Sequence, residues 1–327
     1  MKRPFLVAAV LLAVVAGCVG QPTVPSATST ASATGTTSAP QTPSSTPTSP
    51  QSSTPQSSTP KFAPSDLPRI DGSTANIPLI SLVIQRLTGV SKEQADNTVQ
   101  TSGTPDAYRA LVEEDSDTDL LLVYEADEGV KAELRESGVA LEFHPIGRDA
   151  LVFFTNSSNP VASLSTKQFR SIYTGHTTNW SQVGGRKAKI VAYQRPEESG
   201  SQALLRKYVV GKAKMAKAPS ELVTADMGEI VSGVSSYANS GNALGYSVYY
   251  YLANMYAVDG IKMLGVSGVQ PSRETIADGS YPYTNDFYAV LRADEPAGSP
   301  ARRVMEWLLS ADGQKAVVDA GYVPAAK

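Results

Sequence analysis

Lys189-Ile190-Val191-Ala192-Tyr193-Gln194-Arg195-Pro196-Glu197-Glu198-Ser199-Gly200-Ser201-Gln202 runs from a short apolar β-pattern, through a glycine-bearing turn, into a helical pattern that continues to Val209. A strand ending in such a turn and leading into a helix start is the repeating unit of α/β folds, whose ligands bind beyond the carboxyl ends of the strands. This turn also carries the residue types an anion needs. Gly200 lets the backbone approach a ligand closely, while Ser199 and Ser201 offer hydroxyls and N–H groups at a helix start. Arg195 can grip two oxygens of a tetrahedral anion, with Glu197 holding the guanidinium in orientation. The same residues also read as an exposed Arg195–Glu197 pair beside an ordinary helix cap.

Two further turns repeat the unit. Ile70-Asp71-Gly72-Ser73-Thr74-Ala75-Asn76 runs into Ile77-Pro78-Leu79-Ile80, where Pro78 suits a first helical turn. That places Ser73 and Thr74 at unpaired N–H groups, where the helix dipole adds about half a positive charge. Thr101-Ser102-Gly103-Thr104-Pro105-Asp106 again sets hydroxyls, Ser102 and Thr104, ahead of a helix. Each turn alone reads as capping. Three of them predict one converging anion site. Buried strands are predicted at Leu120–Val123, Val139–Phe143, Ala150–Phe154, Lys189–Tyr193 and Phe287–Leu291. Helices are predicted at Ile77–Leu87, Asp106–Glu113, Gly129–Glu136, Thr166–Tyr173, Ser201–Val209 and Pro300–Leu309.

The N-terminus carries a separate message. Lys2 and Arg3, the apolar run Phe5–Val15 and the small residues before Cys18 are the three parts of a secretory signal. The run is too short to span a bilayer of roughly 30 Å. Val15-Ala16-Gly17-Cys18 resembles the lipobox of bacterial lipoproteins, in which the cysteine takes a diacylglycerol and becomes the new N-terminus. The other reading is an ordinary export signal whose cysteine stays free. Residues 1–17 are thus expected to be a signal peptide, and residues 18–65 a lipidated Cys18 followed by a tether. Val19–Pro60 is almost all Ser, Thr, Pro, Ala, Gln and Gly, with no charge and no aromatic to bury. As a flexible coil it reaches on the order of 35 to 40 Å.

Composition excludes several classes. Of 28 basic residues, removal of Lys2 and Arg3 leaves 26 against 31 acidic, a net charge of −5 that gives nucleic-acid binding no support. With one cysteine and two histidines, His144 and His176, no disulfide, no transition-metal site and no cofactor are expected.

Beyond the three turns, several stretches resemble the phosphate-binding proteins of bacterial ABC importers, over about Leu67 to Lys327. Asp71-Gly72-Ser73-Thr74, Ile146-Gly147-Arg148-Asp149-Ala150-Leu151-Val152-Phe153, and Ile172-Tyr173-Thr174-Gly175 with Asn179-Trp180-Ser181 carry the first part of the likeness. Arg195-Pro196-Glu197-Glu198-Ser199-Gly200-Ser201, Ala243-Leu244-Gly245-Tyr246, Trp307-Leu308-Leu309-Ser310 and Gly321-Tyr322-Val323-Pro324 carry the rest. The resemblance implies a type II periplasmic-binding-protein fold: two α/β lobes, each a mixed sheet flanked by helices, with two crossover strands as the hinge. Lobe 1 is then expected at residues 66–147 and 283–327, lobe 2 at 148–282, with crossings near Arg148–Asn156 and Tyr281–Leu291. The implied cleft takes Ser73, Thr74 and Ser102 or Thr104 from one lobe and Arg195, Ser199, Gly200 and Ser201 from the other.

Phosphate-specific members carry an aspartate shortly after the strand corresponding to Leu120–Val123, where it accepts the proton that sulfate lacks. This chain reads Tyr124-Glu125-Ala126-Asp127 there, so Glu125 either takes that role or faces solvent. Glu197 stands where the family has Asp. The implied function is an extracytoplasmic, lipid-anchored monomer that delivers phosphate or a similar oxyanion to an ABC importer permease and does no chemistry. Two other classes remain in view. One is a surface lipoprotein acting as sensor or adhesin, for which the tyrosines of Tyr246-Ser247-Val248-Tyr249-Tyr250-Tyr251 offer an interface if exposed. The other is a hydrolase using Ser199 or Ser201 with His144 or His176, although no Gly-x-Ser-x-Gly elbow surrounds either serine.

Overall fold

In the computed structural model, residues 59–224, 227–236 and 241–325 are described. The expected signal peptide, Cys18 and most of the expected tether lie outside them. The tether's expected end at residue 65 does not hold. Phe62 is buried, its N–H bonds Leu87 O at 2.9 Å, and Arg303 lies 4.5 Å from its ring centroid. An aromatic that can bury against a helix end draws the last residues of a polar stretch into the fold.

Among the described residues nine strands occur: β1 (Ile70–Gly72), β2 (Leu120–Val123), β3 (Leu141–Asn156), β4 (Ser163–Leu164), β5 (Val191–Ala192), β6 (Ala243–Val248), β7 (Ile261–Val266), β8 (Thr284–Arg292) and β9 (Val323–Pro324). The helices are α1 (Ile77–Thr88), α2 (Lys92–Thr98), α3 (Thr104–Val112), α4 (Glu128–Ser137), α5 (Thr166–Tyr173), α6 (Gly200–Leu205), α7 (Met227–Ser235), α8 (Arg273–Ala277), α9 (Pro300–Leu309) and α10 (Ala311–Asp319). The result is a two-lobed mixed α/β fold.

β3 divides the molecule. Its first part, Leu141 to Ala150, pairs antiparallel with β8, which pairs with β2, which is parallel to β1. From Leu151 onward it pairs instead with β6 and β7, while β5 lies parallel to β6. One strand therefore leaves one sheet and enters the other. Sequence periodicity predicts two strands here, and the structure joins them. The segment between them includes Pro145, which has no N–H, and the register shifts between Pro145 and Gly147. Gly147 tolerates no side chain, since a Cβ there would sit 2.3 Å from the Phe287 ring.

Helix faces follow their apolar spacing. α1 buries Leu79, Ile80, Val83, Ile84 and Leu87 and ends at Gly89 with φ 78°, the left-handed stop that glycine adopts without strain. α9 buries Val304, Met305, Trp307 and Leu308, with the Ser299 hydroxyl accepting the Arg302 N–H at 3.2 Å. Tyr246, Tyr250 and Tyr251 are buried, Tyr250 stacking on Tyr322 with centroids 3.5 Å apart, so these three tyrosines are packing, while Tyr249 is half-buried.

Candidate functional site

β1, β2 and β6 end beside a pocket that the three glycine turns surround. Gly72 has no room for a side chain: a Cβ would fall 2.1 Å from Leu122 O, so β1 and β2 run unusually close. The following residue is thereby fixed. Ser73 N–H donates to Leu122 O at 3.1 Å, and the Ser73 hydroxyl accepts the Tyr124 N–H at 3.1 Å. The second turn docks on the first. Gly103 N–H donates to Gly72 O at 3.2 Å, and Ser73 Oγ and Thr104 Oγ1 share a proton at 2.7 Å. Asp71 couples them from below, with Oδ1 accepting the Gly72 and Ser102 N–H groups at 2.6 and 2.8 Å and Oδ2 accepting the Ser102 hydroxyl at 2.5 Å.

The third turn approaches from the β6 side. Ser199 caps α6, its hydroxyl accepting the Gln202 N–H at 3.3 Å. The Arg195 N–H donates to the Tyr246 hydroxyl at 2.8 Å, and that hydroxyl donates in turn to the Gln202 carbonyl oxygen. Nε and Nη1 of Arg195 are buried. A Cβ on Gly200 would lie 3.1 Å from Thr104 Oγ1, so the two lobes meet at this glycine.

Together these turns enclose a cavity of about 290 Å³. Ser73, Thr74, Ser102, Thr104, Arg195, Ser199, Gly200 and Ser201, all anticipated from sequence, line it. Ser201 is 2% exposed, and its hydroxyl has no hydrogen-bond partner among the described residues. A buried hydroxyl in that condition is costly unless a ligand completes it. The arrangement can hold a small anion by hydroxyls, backbone N–H groups and one guanidinium.

Glu125 and Glu197 are not brought into the cavity wall. Glu125 lies outside it, its carboxylate bonded to Lys131 at 2.6 Å and to Lys207. Burial pushes its pKa up, but the hydrogen bonds from Lys131 and Lys207 outweigh this and leave it below the usual carboxylate range. Glu197 binds Arg206 rather than Arg195, at 2.6 and 2.9 Å, and that bond lowers its pKa. Both carboxylates turn to cations that project from the α6 turn and its π-helical extension Arg206–Val210. The carboxylate that does line the cavity is Glu198, bonded to Arg109 of α3 at 3.2 Å. Sequence spacing could not choose between adjacent Glu197 and Glu198, because their directions depend on where Arg206 and Arg109 fall.

Tyr124 also lines the cavity, and sequence reading passed over it. Its place directly after a buried strand was the available signal. It is 2% exposed and its hydroxyl donates to Asp149 Oδ2 at 2.6 Å. Neither histidine is at the cavity. His144 contacts Glu142 at 3.2 Å and His176 occupies an exposed turn. Among the described residues no group of three or more His, Cys, Asp or Glu is placed to hold a metal ion, and no helix is long and apolar enough to cross a membrane.

Two lobes sharing a crossing strand, with hydroxyl-bearing turns from both sheets around one small cavity, are the architecture of a two-lobed binding-protein fold. A sequence model described as the PBP superfamily domain matches residues 26–312, and the chain belongs to that superfamily. Among its relatives is the phosphate-binding protein PstS of Bacillus subtilis (strain 168), 28% identical over 259 residues that cover 78% of this chain and 79% of that protein. The phosphate-binding protein PstS of Staphylococcus saprophyticus is 25% identical over 260 residues, covering 77% and 78%. In fold the chain is similar to a Clostridium perfringens protein solved with bound phosphate and assigned as a phosphate ABC transporter substrate-binding protein. That likeness has a TM-score of 0.61 and 24% identity, over 79% of this chain and 99% of that one.

Proposed function

We propose that this protein captures inorganic phosphate, or a closely related tetrahedral oxyanion, in the cavity between its lobes and delivers it to an ABC importer. The observation that carries the reading is the 290 Å³ cavity itself, where Arg195 and the buried Ser201 hydroxyl from one side face Ser73 and Thr104 from the other. A guanidinium and convergent donors suit a compact anion, and closure around it follows from contacts made to both lobes. The names of the Bacillus and Staphylococcus relatives support phosphate as that anion. The exchange of β3 partners at Ala150/Leu151 supports lobes of 66–147 with 283–327 and of 148–282. We further infer a monomer held on the extracytoplasmic side of the cell membrane by lipid on Cys18, doing no chemistry on its ligand.

Calorimetry of the full-length protein against phosphate, sulfate, molybdate and a nucleoside monophosphate tests this. Tight stoichiometric phosphate binding without turnover is expected. Absence of phosphate binding, or hydrolysis of a phosphate ester lost in Ser199→Ala, overturns it. Mass spectrometry of the protein from a lipidating host tests Cys18, whose diacylglyceryl mass should vanish in Cys18→Ser.

A further inference from the structure

The cavity presents a problem for any ligand that carries a proton. A tetrahedral dianion such as sulfate offers acceptors only, whereas monohydrogen phosphate also offers one O–H, and a site that favours it needs an acceptor placed for that proton. Glu198 is engaged by Arg109 and Glu125 lies outside the wall. Tyr124 lines the cavity together with Val248, which is paired in register with Leu151, two residues beyond Asp149. The single phenolic proton of Tyr124 is committed to Asp149 Oδ2 at 2.6 Å.

Building on the oxyanion reading above, we propose that Tyr124 is the specificity-determining residue of this site: its hydroxyl, made an acceptor by Asp149, takes the hydrogen bond of the ligand's P–OH and turns lone pairs toward a fully ionised anion. No proton is transferred; one hydrogen bond forms with the protonated ligand and is repulsive with the unprotonated one. Asp149 is a positioning residue, fixed in turn by the Ala150 N–H at 2.7 Å and the Tyr250 N–H at 3.0 Å. Tyr124 after β2, Tyr250 after β6 and Tyr322 before β9 surround it, and no Lys, Arg or His hydrogen-bonds it among the described residues. Nothing therefore competes for its Tyr124-facing oxygen. Burial and the neighbouring Asp149 charge both raise the Tyr124 pKa, so the phenol keeps the proton it donates.

The test compares phosphate and sulfate affinities of the full-length wild type, Tyr124→Phe and Asp149→Asn by calorimetry. Wild type should prefer phosphate. Tyr124→Phe should lose phosphate affinity by about tenfold or more while sulfate affinity holds or rises, the loss of one buried hydrogen bond and of one repulsion. Asp149→Asn can donate its amide to the phenol oxygen and free the phenolic proton for the ligand, so sulfate should gain on phosphate. An unchanged phosphate-to-sulfate ratio in Tyr124→Phe overturns the inference and leaves the oxyanion reading standing. A wild type that binds neither anion overturns that reading first, and the inference with it.

Discussion

The Arg195 backbone is held in place by a neighbouring side chain. Its N–H rests on Tyr246, which is locked to Gln202, so the point from which the side chain leaves the turn is fixed before a ligand arrives. Pre-organisation of that kind makes truncation expensive, because hydrogen bonds to charged groups contribute about 1.5–3 kcal/mol each and a buried anion also loses its counter-charge. Arg195→Ala is expected to weaken phosphate binding by about 2–4 kcal/mol in calorimetry. Gly200 makes a different prediction. A methyl group there would press on Thr104 Oγ1 at 3.1 Å, and that oxygen cannot retreat without lengthening its 2.7 Å bond to Ser73. Gly200→Ala should therefore hinder closure, weakening binding by about 1 kcal/mol, the order of one net hydrogen bond. Thr104→Ala in the same protein should recover part of the loss by making room.

At the scale of elements, α3 and the β2–α4 connection on one side face the α6 region on the other through two ion pairs, Arg109–Glu198 and Glu125–Lys207. Arg109, Glu125 and Lys207 do not line the cavity whereas Glu198 does, so these pairs act as a clasp running outward from its wall. Both are substantially exposed, and exposed pairs contribute about 0.2–1 kcal/mol each. Lys207→Gln combined with Arg109→Gln should then widen the unliganded molecule in small-angle scattering and raise the phosphate Kd about threefold to tenfold. High salt should reproduce much of this in the wild type.

The elements themselves were unevenly legible. α5 and α9 coincide with their predicted bounds, because each pairs an apolar stripe with a serine cap, Ser165 and Ser299. β6 gave no alternation because all six of its residues are buried, and its Gly245 is required by Ile230, Phe154 and Val234 within 3.0 Å of a would-be Cβ. The predicted strand Lys189–Tyr193 shrinks to the two residues of β5, with Tyr193 and Gln194 continuing in single backbone bonds to Leu244 and Leu222. Hydroxyls and glycines at turns were readable because backbone geometry dictates them locally. The directions of Glu125 and Glu197 were not, since each follows a cation supplied by a distant or neighbouring turn.

For the whole molecule, Asp149 is the point where both lobes are joined through one side chain: Tyr124 bonds it from the β2 side and Tyr250 from the β6 side, on the strand that crosses between sheets. Its burial carries a cost that depends on pH. Desolvation raises its pKa to about 6, only partly offset by the hydrogen bonds from Tyr124, Ala150 and Tyr250. A carboxyl whose folded pKa lies above its unfolded value of 3.8 binds its proton more tightly in the folded state. Its contribution is therefore fully present below about pH 4 and is lost as pH rises through about 6. The carboxylates with lowered pKa, Glu125 among them, act in the opposite sense, adding stability above their unfolded pKa that disappears as pH falls. Asp149→Asn isolates the first effect. Relative to wild type, its unfolding free energy should rise by about 2–3 kcal/mol between pH 4 and pH 7, the size of a two-unit shift, whatever constant offset the substitution adds. Urea unfolding of both proteins across that range measures it, and a difference that stays flat would mean Asp149 ionises as easily in the folded protein as in the unfolded chain.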